Sequence, residues 1–346
     1  MNKIFIISGS DIKLRFEFCE RLSETYEVYV FGTQKVESLN TKFSYFYHKN
    51  FFELFIKLIY QIRTDKNIYL VNSFDFIPNI FITILSLFFK NKIKFIRTFT
   101  GLGRLYSKNY RYKFLRPFFL RFVSFTSGFS RSVLQNTTDY NLFKNHTIKN
   151  IHLIKSSGIN FNFKYESKLF PKVKNTLQIV FASRLIPEKG ILDYIKISNE
   201  LSKYNNLKFY LIGRANNLKL NHAIKSCKSS NFKHLDHIDQ LSTHLNNFDL
   251  MIFLSSYGEG VPRILIEGMR SKLPLIAYAN RGTNECIDEG YNGFLFKNNY
   301  KLVIKKIKEI SNNPKLLKQL GSNSFNLGFE KFDLKKVVHQ YSDLYD

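Results

Sequence analysis

Short apolar runs alternating with amphipathic segments recur along this chain at a spacing that leaves little but an α/β fold open. KIFIIS (3–8), an amphipathic stretch from Lys13 to Glu24 and VYVFG (28–32) make a β-α-β start, which NIYLVN (67–72), KFIRTF (94–99) and HLIKSS (152–157) continue. A second series follows at 177–182, 207–212 (LKFYLI), 249–254 (DLMIFL), 274–278 (PLIAY) and 293–296. Strands spaced by helical segments predict parallel sheets with helices packed on their faces. The polar stretch 158–176, GINFNFKYESKLFPKVKNT, shows no clear element and reads as a linker. With 346 residues there is room for two cores. The expected fold class is therefore α/β with two facing, doubly wound, Rossmann-like domains, residues 1–165 and 166–332, followed by a helix over 333–346. Their strand C-termini would line a shared crevice, where open α/β sheets take their ligands.

The stretch GEGVPRILIEGM (258–269) carries the most chemistry. Pro262 suits a first helical position, with Ile264, Leu265 and Ile266 continuing the helix. Glu259 would then stand at the helix mouth and Glu267 about two turns in, beside backbone N–H groups of Gly260 and Val261. Upstream, LQIVFASRLIPEKGI reads as a buried strand and a loop bearing Arg184 and Lys189, then Gly190 before a helix. A forked guanidinium and a point-charge ammonium on one loop suit a diphosphate. Carboxylates suit hydroxyls, and a helix terminus suits an anion. A nucleotide-sugar offers hydroxyls at both ends and phosphates between them.

Ser-Arg-Leu-x-x-x-Lys-Gly at 183–190, Glu-Gly-x-Pro at 259–262, the second Glu eight residues after the first, Asn284-Glu285 and Gly290-Tyr-Asn-Gly-Phe294 follow one another in order. Together they resemble the family 4 retaining glycosyltransferases, of GT-B architecture, across most of the C-terminal half. The resemblance implies catalytic roles for Glu259, Arg184 and Lys189, and a donor site of Arg184, Lys189, Glu259, Gly260, Val261, Pro262 and Glu267. In it Glu267 holds ribose hydroxyls and Glu259 a hydroxyl of the transferred sugar. Arg184 and Lys189 stabilise the leaving diphosphate, so neither a metal nor another cofactor is expected. The resemblance also implies that the last helix crosses back onto the N-terminal domain.

Gly9, after the first strand, and Gly101 and Gly103, in TGLGRLY (100–106), mark loops where backbone can approach a phosphate or an acceptor. Many relatives carry His-Gly in the second loop. Gly-Leu-Gly is similar to members handling N-acetylated sugars, and this favours a UDP-linked donor. Ser157-Gly158-Ile159-Asn160 resembles the family's Asn-Gly-Ile/Val-Asp turn with Asn in place of Asp, so Asn160 is assigned no catalytic role. Tyr257 either shapes the donor pocket or packs.

A net charge of +25 calls for a partner. From Phe76 to Thr138 there is no Asp or Glu, while Lys90, Lys92, Lys94, Arg97, Arg104, Lys108, Arg111, Lys113, Arg116, Arg121 and Arg131 all fall there. FLRPFFLRFVSF (114–125) interleaves Phe with Arg. Such a face matches an anionic membrane surface, with Lys113, Arg116 and Arg121 as contacts; the alternative is a solvated basic face. No nucleic-acid-binding signature accompanies the charge. Cys19, Cys227 and Cys286 are odd in number and lack metal or redox spacing, which points to inert thiols in a reducing compartment. MNKIFIISGS reads as a strand rather than a signal peptide. The longest apolar run, Ile77 to Phe89, is too short to span a bilayer.

The expected activity is retaining transfer of a sugar, an N-acetylhexosamine or related hexose, from a UDP-sugar to a lipid-linked saccharide. The acceptor would be a polyprenyl-diphosphate saccharide, in surface polysaccharide or O-antigen assembly. The expected place is cytoplasmic, peripheral on the inner face of the cytoplasmic membrane. The alternative is a nucleotide-sugar epimerase or hydrolase of the same fold.

Overall fold

The computed structural model describes all residues except 10, 37–39, 90–91, 107–112, 164–169, 171–174, 216 and 259, and the side chain of Arg104. The chain divides into two units: Met1–Asn160 with Phe332–Asp346, and Phe161–Lys331. The first change of unit thus falls five residues before the 165/166 boundary read from the sequence.

Unit 1 contains β1 (Lys3–Ile7), α1 (Phe16–Leu22), β2 (Glu27–Gly32), β3 (Ser44–Tyr47), α2 (Phe51–Thr64), β4 (Ile68–Phe74) and α3 (Phe76–Phe89). It continues with β5 (Lys94–Phe99), α4 (Leu115–Phe125), β6 (Arg131–Leu134), α5 (Thr137–Asn145) and β7 (Ile151–Leu153). Unit 2 runs through β8 (Leu177–Ala182), α6 (Ile191–Glu200), β9 (Leu207–Ile212), α7 (Leu218–Lys225), β10 (Phe232–Leu235) and β11 (Leu250–Phe253). There follow α8 (Arg263–Arg270), β12 (Leu275–Tyr278), α9 (Thr283–Cys286), β13 (Gly293–Phe296), α10 (Tyr300–Ser311) and α11 (Pro314–Phe332), and α12 (Leu334–Tyr345) closes the chain.

Both sheets are parallel, in the orders β3-β2-β1-β4-β5-β6-β7 and β10-β9-β8-β11-β12-β13. Strands covered on both faces must be apolar on both, and β1 shows it. Ile4 and Ile6 pack with α1 and α12, while Phe5 and Ile7 pack under α2 and α3. The stretch 13–24 is not one helix; a 3-10 turn, Ile12–Arg15, leads into α1.

The final helix belongs to unit 1. Leu334, Val337, Val338, Tyr341, Leu344 and Tyr345 recur at helical spacing and are all buried in the core that holds β1 and β4. Asn72 donates to the Tyr345 hydroxyl at 2.7 Å, and the Phe18 and Tyr341 rings meet edge to face at 4.9 Å. Ser157-Gly158-Ile159-Asn160 has a structural task here. Ile159 exchanges backbone hydrogen bonds with Phe332 and Leu334, and Gly158 (φ 72°) would place any Cβ 2.8 Å from the Leu334 Cα. The glycine lets the chain lie against the start of α12.

Candidate functional site

Strand order reverses between β8 and β11 in unit 2. Loops leaving such a pair run in opposite directions and open a crevice at the carboxyl edge. The Arg184–Lys189 loop leaves β8, and the loop carrying 258–262 leaves β11. They are tied together: Ser256 donates to the Glu188 carbonyl from its N–H at 2.8 Å and its hydroxyl at 3.1 Å. Gly190 permits this approach, because it adopts φ 81° and a Cβ would lie 2.2 Å from the Leu254 carbonyl oxygen. Lys189 is consequently 6% exposed, with Nζ 5.3 Å from the Phe253 ring centre and 5.4 Å from that of Tyr257. Aromatic faces stabilise a cation withdrawn from water. Tyr257 therefore packs against the loop's lysine. Arg184, on the same loop, is exposed.

Pro262 is the N-cap of α8 (φ −65°, ψ 114°), not its first helical residue, and the helix starts at Arg263. Glu267 is the fifth residue of the helix, about one turn beyond Arg263. Its side chain is 14% exposed, and its Oε1 accepts from Arg263 Nε at 2.9 Å, four residues back on the same helix. Gly260 and Val261 are buried at the helix entry. Glu259 lies outside the described residues. A third loop, after β12, joins in as Asn280 donates to the Ser255 carbonyl at 2.8 Å. It leads to α9, where Glu285 is buried.

Unit 1 has its own reversal, between β1 and β4. The residue at its centre, Asp75, was not singled out from the sequence. It follows β4 with φ 75° and gathers the other loops. Ser8 donates to Oδ2 at 2.6 Å, Gly9 N–H to the same oxygen at 3.4 Å, and Thr100 to Oδ1 at 3.1 Å. Arg15 Nη2 lies 3.9 Å from Oδ1, its guanidinium 5.1 Å from the Phe74 ring centre. The Gly9 loop and the Gly101–Gly103 loop (φ 113° and 55°) are thus brought to one carboxylate. One signal could have found it: Asp75 is the last acid before the acid-free window.

Several cations of that window are internal. Arg97 is fully buried in β5, donating to the hydroxyls of Ser132, Thr83 and Thr126 and to the Val123 carbonyl. Burial lowers its pKa to about 9. Lys94 donates to the carbonyls of Tyr345 and Asp346 at 2.9 and 2.7 Å, and Arg131 to that of Leu344, so both hold α12. Arg116 is half-buried, donating to the Leu105 carbonyl at 2.8 Å beside the Tyr106 ring, whereas Lys92, Lys113 and Arg121 are exposed. Lys90, Lys108 and Arg111 lie outside the described residues. Among the described residues, no helix is long and apolar enough to cross a membrane.

Residues 164–327 match the family model described as glycosyl transferases group 1. An uncharacterised glycosyltransferase of Methanocaldococcus jannaschii is 30% identical over 52% of this chain and 48% of its own length. The capsular polysaccharide biosynthesis glycosyltransferase CapM of Staphylococcus aureus is 23% identical over 63% of this chain and 60% of its own. The chain thus spans about half to three-fifths of these relatives. The solved structure of Anabaena HepE in complex with UDP and glucose superposes with a TM-score of 0.79 at 15% identity, covering 99% of both chains. The fold is that of the GT-B glycosyltransferase structures, and the segment that matches the glycosyl transferases group 1 model occupies most of unit 2.

Proposed function

We propose that the protein is a retaining glycosyltransferase of family 4 that moves a sugar from a UDP-sugar to a lipid-linked saccharide acceptor. The sugar is an N-acetylhexosamine or related hexose, and the product feeds surface polysaccharide or O-antigen assembly. The observation that carries this reading is the junction of the Arg184–Lys189 loop with the loop entering α8, at the reversal point of unit 2. UDP as the nucleotide is supported by the ligand named for HepE, and a surface polymer by the name of CapM.

Arg184, exposed, and Lys189, beside two rings, meet the diphosphate. The charge on it grows as the sugar–oxygen bond breaks, and fixed cations stabilise that transition state. Glu267 accepts from ribose hydroxyls while Arg263 fixes its orientation, and Glu259 accepts from a hydroxyl of the sugar. The acceptor oxygen bonds to the anomeric carbon on the face the diphosphate leaves. Its proton passes to a leaving phosphate oxygen, so no side-chain base is needed. The cations take the part a divalent ion would play, so chelation with EDTA should leave the rate unchanged.

Asp75, with Ser8 and Thr100, holds a hydroxyl of the acceptor in unit 1. Lys113, Arg121 and the basic-aromatic α4 meet the anionic inner face of the cytoplasmic membrane, with Arg116 bracing α4 from within.

A thermal-shift screen of UDP, GDP, ADP and TDP tests the donor, followed by donor turnover with and without a polyprenyl-diphosphate saccharide. Stabilisation by UDP and acceptor-dependent turnover are expected. Rapid turnover without acceptor would instead indicate a hydrolase or epimerase.

A further inference from the structure

We infer that unit 1 lies on an anionic bilayer by a whole face, α2, α3 and α4 together, and not by α4 alone. This rests on the reading above of a lipid-borne acceptor and names the surface that serves it. The three helices cover one side of the sheet. Leu54, Leu58 and Ile62 of α2 and Ile82 and Leu85 of α3 share one core, and the Phe55 and Phe81 rings stack between the two helices. Phe76 of α3 meets Phe119 of α4 at 5.3 Å, and the buried Arg97 bridges Thr83 to Thr126 beneath them.

A helix on a globular core has one apolar stripe. These helices have two. On α2, Phe52, Ile56 and Tyr60 repeat every four residues on the side opposite the buried set, with Phe52 75% exposed. On α3, Ile77, Ile84 and Phe88, seven and four residues apart, likewise line the side opposite the buried set, Phe88 being 76% exposed, and the helix contains no charged residue. On α4, Phe118 and Phe125 are 70% and 72% exposed. More than half of the large apolar side chains exposed among the described residues lie on these helices or their caps. Contiguous apolar surface of this kind marks an interaction site.

Charge decides the occupant. Glu53, in the first turn of α2, is the one acid on the three helices, while Lys57, Arg63, Lys113 and Arg121 are exposed among the apolar groups. Aromatic groups interleaved with cations match lipid headgroups above acyl chains. A hollow of about 400 Å³ is lined by Pro117, Leu120, Arg121, Ser124, Phe125 and His146, and its arginine suits a headgroup phosphate. The face also borders the acceptor side. A Cβ at Gly9 would sit 3.0 Å from the Phe51 ring, so the start of α2 abuts the loop that Asp75 holds. An acceptor standing out of the bilayer meets that edge first.

The chain contains no Trp, so single substitutions report cleanly. The Phe52→Trp, Phe88→Trp and Phe118→Trp variants are titrated with vesicles of phosphatidylglycerol and phosphatidylethanolamine, and with phosphatidylcholine vesicles. Leu218→Trp, on an 87% exposed site in unit 2, is the control. Blue-shifted emission and quenching by brominated lipid are expected at all three positions with the anionic vesicles, and none at the control. A combined Phe52→Ser, Ile56→Ser, Tyr60→Ser variant should lose about tenfold or more in vesicle affinity. A shift confined to Phe118→Trp overturns the proposal in favour of α4 alone. A shift without lipid, in a chain sedimenting as a dimer, overturns it in favour of a second copy, and no shift anywhere overturns it outright. Titrating the same variants with UDP keeps the tests apart. UDP binding without a lipid response sinks this inference alone, whereas a lipid response without UDP binding sinks the donor reading.

Discussion

The two sheets place their crevices at the same topological position, β1/β4 in one and β8/β11 in the other, yet furnish them with opposite chemistry. Unit 2 presents an exposed Arg184, a ring-flanked Lys189 and the entry of α8. Unit 1 presents a carboxylate, Asp75, ringed by two hydroxyls and one backbone N–H, with the Arg15 guanidinium 3.9 Å away. Cations and a helix terminus select an anion; an acceptor-rich carboxylate selects hydroxyl donors. In the proposed reading, one architecture serves a sugar-diphosphate in one half and a saccharide in the other.

The comparison breaks most visibly if the proposed donor residues of unit 2 are removed. Arg184→Ala and Glu259→Ala should each reduce transfer by about two to three orders of magnitude with an unchanged melting temperature. A steady-state rate within a few-fold of wild type would remove the site assignment. On the other side, Asp75→Asn keeps the shape but weakens the charge-assisted bonds. It should raise the acceptor KM about tenfold or more while UDP affinity stays the same, measured by initial rates and calorimetry. Equal losses for donor and acceptor would show that Asp75 only braces the loops.

Gly158→Ala probes how the chain returns to unit 1. The Cβ must displace Leu334, and the left-handed backbone is strained, so a loss of about 1–3 kcal/mol is expected in urea unfolding. A smaller effect comes from His48, which is buried against Phe31 and whose pKa burial lowers. A lowered folded pKa means the unfolded chain takes up the proton first. Stability should therefore decline as pH falls below about 6.5, levelling off once folded His48 protonates. His48→Phe should flatten that slope between pH 7.5 and 5.5.

The same contrast governs what was legible in the residues. The strands at 94–99, 177–182, 207–212 and 293–296 match their observed bounds, the first three as inner strands of parallel sheets, which are largely apolar on both faces. β3 and β10 escaped because they are short sheet edges, half exposed, and β6 because Arg131 opens a four-residue run. In unit 2 the proposed site residues lie within two contiguous motifs, whose spacing is visible in the sequence. In unit 1 the partners of Asp75 come from positions 8, 9, 15 and 100, and no local pattern joins them. Charge counting misjudged Arg97 for a related reason. Burial with four hydrogen bonds depends on which strands and helices become neighbours. Pro262 satisfied a helix-start rule one residue early, since it caps α8 rather than opening it.

The central claim is that the β8 and β11 loops form a diphosphate site, and phosphate dependence tests it most directly. Calorimetric affinities of uridine, UMP and UDP should rise steeply along that series for the native chain. In a combined Arg184→Ala, Lys189→Met variant most of the rise should vanish while uridine binding persists. An undiminished gain from the phosphates in that variant would contradict the account.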